Sequence, residues 1–213
     1  MACKICQTRR ARRLCPGIGG EICPVCCGRE RENTVDCPLE CEYLQAARGR
    51  EKMPELDPES LPNRDIEVSE DFIREQGALL QATIRGLATT AWGLPGAVDL
   101  DVREALDSLA RTYRTRESGL YYESKPANLV AARIFELMQK GLEEFRKTAV
   151  ERLGIAPVRD AGILGVLVFL QRTGMQFDNG RRRRRAFMQL LREHAGMEQE
   201  AGGKESGPPL VLP

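Results

Sequence analysis

The chain has 213 residues, 42% of them hydrophobic and 30% charged, with a formal net charge of +1. That is enough for one ordinary core plus a small appendage, and a charge so close to zero names no partner by itself. The longest apolar run, "AGILGVLVFL" from Ala161 to Leu170, falls well short of the ~18 residues that span a bilayer, so no membrane partner is expected.

All eight cysteines lie in the first 41 residues: Cys3, Cys6, Cys15, Cys23, Cys26, Cys27, Cys37 and Cys41. The opening "MACKICQTRRARR" is polar and basic and lacks the apolar core of a secretory signal. The expected compartment is therefore the reducing cytoplasm, where clustered cysteines hold metal more often than they form disulfides. Residues 1–50 carry nine Lys/Arg and six Asp/Glu. Two zinc ions held by eight thiolates would turn that local +3 into about −1, which argues against a basic finger gripping nucleic acid.

The spacing is C-x2-C-x8-C-x7-C-x2-C-C-x9-C-x3-C. Eight thiols divide into two four-cysteine sites, and the short pairs Cys3/Cys6 and Cys23/Cys26 let a turn present two sulfurs to one ion. Pro24 fixes the second of those turns, and Cys37/Cys41 makes a wider pair at the start of a helix through "ECEYLQAAR". Neighbouring side chains on extended backbone face opposite ways, so Cys26 and Cys27 are assigned to different ions. The expected grouping is Cys3, Cys6, Cys23 and Cys26 at one Zn2+, with Cys15, Cys27, Cys37 and Cys41 at the other. A C-x3-C pairing of Cys23 with Cys27 is the competing arrangement.

Other chemistries fit less well. The ferredoxin run C-x2-C-x2-C-x3-C is missing, and a zinc deaminase would need H-x-E beside its P-C-x-x-C. A redox switch that releases zinc on oxidation needs exposed thiols of low pKa. All-cysteine sites generally lack the open position of a catalytic zinc, so both ions are read as structural. The segment resembles the cross-brace zinc modules of the HIT, MYND and B-box kinds, although HIT and MYND patterns include a histidine. It is also similar to a loose group of uncharacterised bacterial proteins that carry "CPGIGGEICPVCCGRER…CPLECEYL" almost as a unit and share "ESGLYYE"; that resemblance implies no established activity.

After this module, residues 1–47, a charged stretch at 48–68 holds Pro54, Pro58 and Pro62 and reads as an extended linker. A bundle is expected over 69–196. Ser69 caps a first helix with Phe72, Ile73, Leu80, Ile84, Leu87 and Ala91 along one stripe. Asp101 and Glu104 open a second, with Val102, Leu106, Leu109 and Tyr113 inward. Pro126 opens a third with Leu129, Ile134, Leu137, Met138, Leu142 and Phe145 at helical spacing, stopped by Gly154 and Pro157. Asp160 to Thr173, apolar nearly all round and ended by Gly174, is the central helix. Arg183 to Ala195 is the last, burying Phe187, Leu190 and Leu191. Residues 197–213 read as a disordered tail. No strand pattern follows residue 50, so the fold class is mainly α: a small two-zinc cross-brace module plus an all-α bundle.

Three features of the bundle bear on function. "ESGLYYE", Glu117 to Glu123, could line a cleft with two acids; the plainer reading is that Leu120 and one tyrosine cover the end of the bundle. His194 is alone and has no partner histidine for metal. Arg181, Arg182, Arg183, Arg184 and Arg185 run against a helix N-terminus, an electrostatically costly place. They either contact an anionic partner or form a solvated face with packed stems. The function expected is a zinc-binding adaptor or regulatory protein working through protein–protein interaction. One alternative is nucleic-acid binding through Arg9, Arg10, Arg12, Arg13 and the arginine run; a second, less favoured, is an enzyme using "ESGLYYE".

Overall fold

A computed structural model describes residues 1–52, 54–153 and 158–197 of the chain. Its architecture is mainly α, with eight helices and one small two-stranded sheet among the described residues.

The cysteine-rich segment is short and irregular. Strands β1 (Arg13–Cys15) and β2 (Gly20–Ile22) pair antiparallel, Leu14 opposite Glu21. Helix α1 (Pro24–Glu30) follows at once, because Pro24 at its first position lacks the N–H that a helix start leaves unpaired. Helix α2 (Glu42–Arg48) closes the segment. Apart from cysteines, its buried apolar side chains are only Ile22, Val35, Leu39 and Leu44.

The body is built from α3 (Glu70–Glu75), α4 (Gly77–Gly93), α5 (Asp99–Glu117), α6 (Leu129–Leu153), α7 (Asp160–Gln176) and α8 (Ala186–His194). α5 packs between α6 and α7, and α4 lies against α6 and α8. The core joins Leu87 of α4, Leu106 and Tyr113 of α5, Phe135 of α6, Leu167 of α7 and Phe187 of α8, all fully buried. α7 buries Ile163 through Val168 in unbroken succession, which is why its sequence is apolar all round. At Gly165 a Cβ would come within 2.3 Å of the Phe72 ring, so the absence of a side chain there admits α3 onto the central helix.

Several helix boundaries differ from the sequence reading, each for a local reason. Ser69 does cap α3, its Oγ accepting from the Phe72 N–H at 3.1 Å, but the helix breaks at Gln76 before α4 begins. α5 starts at Asp99, two residues earlier than expected, with Asp101 accepting from the Val98 N–H at 2.8 Å. α6 starts not at Pro126 but after Asn128, whose Oδ1 accepts from Val130 N–H at 2.9 Å. Its expected inward residue Leu129 is 85% exposed. α7 runs through Gly174, which lies buried against Phe187 rather than ending the helix. The stop signals Gly154 and Pro157, and the tail from residue 198, lie outside the described residues.

α8 starts at Ala186, three residues later than expected, because the buried Asp99 carboxylate accepts from Phe187 N–H at 3.0 Å and Met188 N–H at 2.9 Å. A carboxylate at that position meets the helix dipole directly. The electrostatic cost anticipated for five arginines at a helix N-terminus is thereby met by an acid from another helix.

The stretch 48–68 lies along the bundle. Arg114 grips Asp65 through two hydrogen bonds of 2.9 and 2.8 Å. Arg172 Nη2 donates to the carbonyls of Asn63 and Ile66 at 2.8 and 3.0 Å, and Ile66 and Val68 pack onto the core.

Candidate metal centre

The Cys3–Cys6 turn is closed by Gln7 N–H donating to the Cys3 carbonyl at 2.8 Å, with Gln7 in the left-handed region. The second pair sits at the start of α1. Cys23 is its N-cap and accepts from Cys26 N–H at 3.4 Å, while Cys3 Sγ accepts from Cys23 N–H at 3.2 Å. Backbone hydrogen bonds to sulfur therefore position both pairs before any ion is considered. The four Sγ atoms of Cys3, Cys6, Cys23 and Cys26 all lie within 4.8 Å of one another. A tetrahedron with ~2.3 Å metal–sulfur bonds has edges of about 3.8 Å, so this group needs only a small contraction to bind a metal ion. These are the four cysteines that the spacing groups together.

The thiols differ in acidity. The Cys6 thiol is drawn down to about 5, first by the Thr8 hydroxyl and then by the backbone N–H groups of Arg9 and Thr8. Cys3 is also lowered: burial opposes this, and the backbone N–H groups of Cys6, Cys23 and Ile5 prevail. Burial, then the neighbouring sulfurs, push Cys26 up to about 12. Two thiols of lowered pKa beside one raised by its neighbouring sulfurs describe a set that a divalent cation would complete, since its charge offsets the crowding of sulfurs.

Cys26 and Cys27 are both on α1 rather than on extended backbone. They diverge all the same, because successive helical residues are turned by about 100°. Cys27 instead lines a small cavity with Cys15, Cys37 and Cys41, closed by Arg13, Tyr43 and Leu44. Cys15, Cys27 and Cys37 are buried and Cys41 half-buried. Burial raises the Cys37 thiol, reinforced by the charges of Cys15, Cys41 and Glu32 and opposed by a backbone hydrogen bond at Glu32. Arg13 Nη1 donates to Cys27 Sγ at 3.3 Å while its guanidinium stacks 4.5 Å over the Tyr43 ring. Among the described residues, the tight cluster within 4.8 Å is confined to the first four.

Three members of the arginine run have internal partners. Arg181 donates to the carbonyl of Gly28 at 3.0 Å and to that of Arg31. Arg184, only 7% exposed, pairs with Glu51 at 2.7 Å and faces Glu32 at 3.6 Å. Arg185 pairs with Asp36 and donates to the Cys37 carbonyl at 3.1 Å. The side chains of Arg182 and Arg183 are exposed, although Arg183 N–H donates to the Glu32 carbonyl at 2.8 Å. Three of the five arginines are therefore engaged within the chain and two face solvent. The run joins the cysteine-rich segment to the bundle. Sequence reasoning missed the acceptors on the other side, Glu32 above all. Buried at 1% exposure, it also takes Arg48 at 2.5 Å; one of two glutamates in "GRERENT", it carries no local sign of that role.

"ESGLYYE" is not recessed. Leu120 is 64%, Tyr121 90% and Tyr122 67% exposed, so the expected cover over the end of the bundle does not form. Glu117 is exposed, and Glu123 lies within 4.0 Å of Arg116 and 3.9 Å of Lys125. His194 Nδ1 is 3.0 Å from the Leu190 carbonyl on its own helix. Among the described residues no helix is long and apolar enough to cross a membrane. Set beside protein-family models, curated proteins and solved structures, the chain matches none of them.

Proposed function

We propose that the chain is a zinc-binding adaptor or regulatory protein of the reducing cytoplasm, with two structural zinc ions and a protein partner. The observation that carries the metal reading is the four-sulfur group of Cys3, Cys6, Cys23 and Cys26. Four thiolates fill a tetrahedral shell and leave no position for substrate, so the ion is a scaffold and not a Lewis acid. Zinc is preferred because sulfur-rich tetrahedral sets suit it in a reducing compartment. A second ion at Cys15, Cys27, Cys37 and Cys41 is supported by their shared cavity and by the absence of disulfides among them. The interleaved order of the two sets along the chain is that of a cross-brace module.

The interaction reading draws on the connection between α5 and α6. Leu120, Tyr121, Tyr122 and Leu129 stand exposed within ten residues. Aromatic side chains placed in water in this way are typical anchors of protein interfaces. Nucleic-acid binding is less well supported, since Arg181, Arg184 and Arg185 are engaged inside the chain.

Metal analysis of the purified chain tests the first part: two zinc per chain are expected, and a Cys27→Ser variant loses at least one. Co-purification from the native cell tests the second. Retention of a protein partner that survives high salt and is lost in Tyr121→Ser supports the reading. A partner held equally by that variant, or nucleic acid released steeply by salt, overturns it.

A further inference from the structure

Between Glu30 and Cys37 the chain forms a turn closed on itself, with Asn33, Thr34 and Val35 N–H all donating to the Glu30 carbonyl, while the carbonyls of Gly28, Arg31, Glu32 and Cys37 accept from donors outside it. The arginine run supplies them. Arg181 reaches the carbonyls of Gly28 and Arg31 at the end of α1, Arg183 N–H reaches that of Glu32, and Arg185 reaches that of Cys37. On its other side the run is tied to the bundle. Asp99 N–H donates to the Arg184 carbonyl at 2.8 Å, and the Asp99 carboxylate caps α8 directly behind it. Residues 181–185 are thus clamped between a helix start in the bundle and the 28–37 segment, which follows Cys27 and ends in Cys37, both lining the second cavity.

We infer that the arginine run is a latch whose closure is coupled to metal at Cys15, Cys27, Cys37 and Cys41; this rests on the two-ion reading above. The 28–37 turn is closed internally through the Glu30 carbonyl, and an ion joining Cys27 to Cys37 would fix how that turn is held against the run. With the ion bound, Arg181, Arg184 and Arg185 have fixed acceptors and three guanidinium groups are withdrawn from solvent. With it lost, the acceptors of Arg181 and Arg185 are displaced and these two join Arg182 and Arg183 in solvent at the foot of α8, while Arg184 keeps Glu51. Coupling of this kind is reciprocal: if metal favours the closed latch, the latch must favour metal by the same factor. The other site, at Cys3, Cys6, Cys23 and Cys26, has its ligands outside the 28–37 segment and is not coupled in this way.

The experiment titrates zinc away from the full-length, metal-loaded protein with a competing chelator, in wild type and in Arg181→Ala, Arg185→Ala and Arg182→Ala. Arg182 is exposed and serves as the control. Closure predicts that Arg181→Ala and Arg185→Ala each weaken one of two zinc ions by roughly tenfold, within the range usual for coupled sites. The second ion and the Arg182→Ala protein should be unchanged. In parallel, amide hydrogen exchange across 181–185 should accelerate at least tenfold when the weaker ion alone is removed, while α5 to α7 stay protected. Two zinc ions with unaltered affinity in both variants overturn the latch and leave the two-ion reading standing. Binding of a single zinc overturns both. Equal weakening in Arg182→Ala overturns it too, since general loss of positive charge would then explain the effect.

Discussion

The cysteine-rich module and the helical bundle solve the same problem by different means. The bundle brings fully buried side chains from five helices into one core, among them Tyr113, Phe135 and Phe187. The module has four buried apolar residues besides its cysteines, too few to offset the entropy of ordering nearly fifty residues. Its clustered sulfurs are placed where a metal could supply what apolar area does not. The bundle is held by a solvent effect spread over many contacts; on the proposed reading the module is held by a few strong bonds to metal.

That contrast predicts how each half breaks. The largest effect should follow metal removal, where structural sites supply apparent binding energies of ~10–16 kcal/mol. Chelation, or Cys23→Ser, is expected to abolish hydrogen-exchange protection over residues 1–48 while α4 to α7 keep theirs. A module that stays protected without metal would end the contrast. Next is Phe135→Ala, which empties a fully buried site in α6 and should lower stability to urea by about 3–5 kcal/mol with zinc content unchanged.

Glu32→Ala sharpens the comparison because it acts on the seam. It leaves Arg48 and the buried Arg184 short of a carboxylate and should cost about 3 kcal/mol. Module and bundle should then lose stability together, seen as coincident shifts in their exchange rates.

Acid acts on the same seam more gently. Burial raises the Glu51 carboxyl, but its hydrogen bond and attraction to Arg184 prevail and hold it below the usual 4.5. A lowered folded-state value means this contribution is fully present above about pH 5 and is lost as pH falls through the carboxylate range. Glu51 is substantially solvated, so the loss is under about 1 kcal/mol. Comparing acid titrations of wild type and Glu51→Gln would reveal it. Smallest of all is Tyr121→Ser, within about 0.5 kcal/mol of wild type by urea titration because that ring is in water.

Much of this was legible in the sequence where chemistry is local. Helix stripes such as Leu80, Ile84 and Leu87 follow from period alone. The four-sulfur grouping follows from two short cysteine pairs. Where reading failed, the deciding partner was distant. Nothing near Arg183 says that Asp99, more than eighty residues earlier, will set where α8 begins. Nor does anything near Leu120 show that α5 ends without a neighbour to cover it.

The sequence by itself determined which four sulfurs come together and which faces turn inward, because cysteine spacing and hydrophobic period act over a few residues. Only the tertiary structure decided what the arginine run does, because a guanidinium group is satisfied equally by water, a partner's phosphate or a buried carboxylate. The choice fell to whichever acceptor the fold carried to its side: here Glu32, Asp36 and the carbonyls of the cysteine-rich segment.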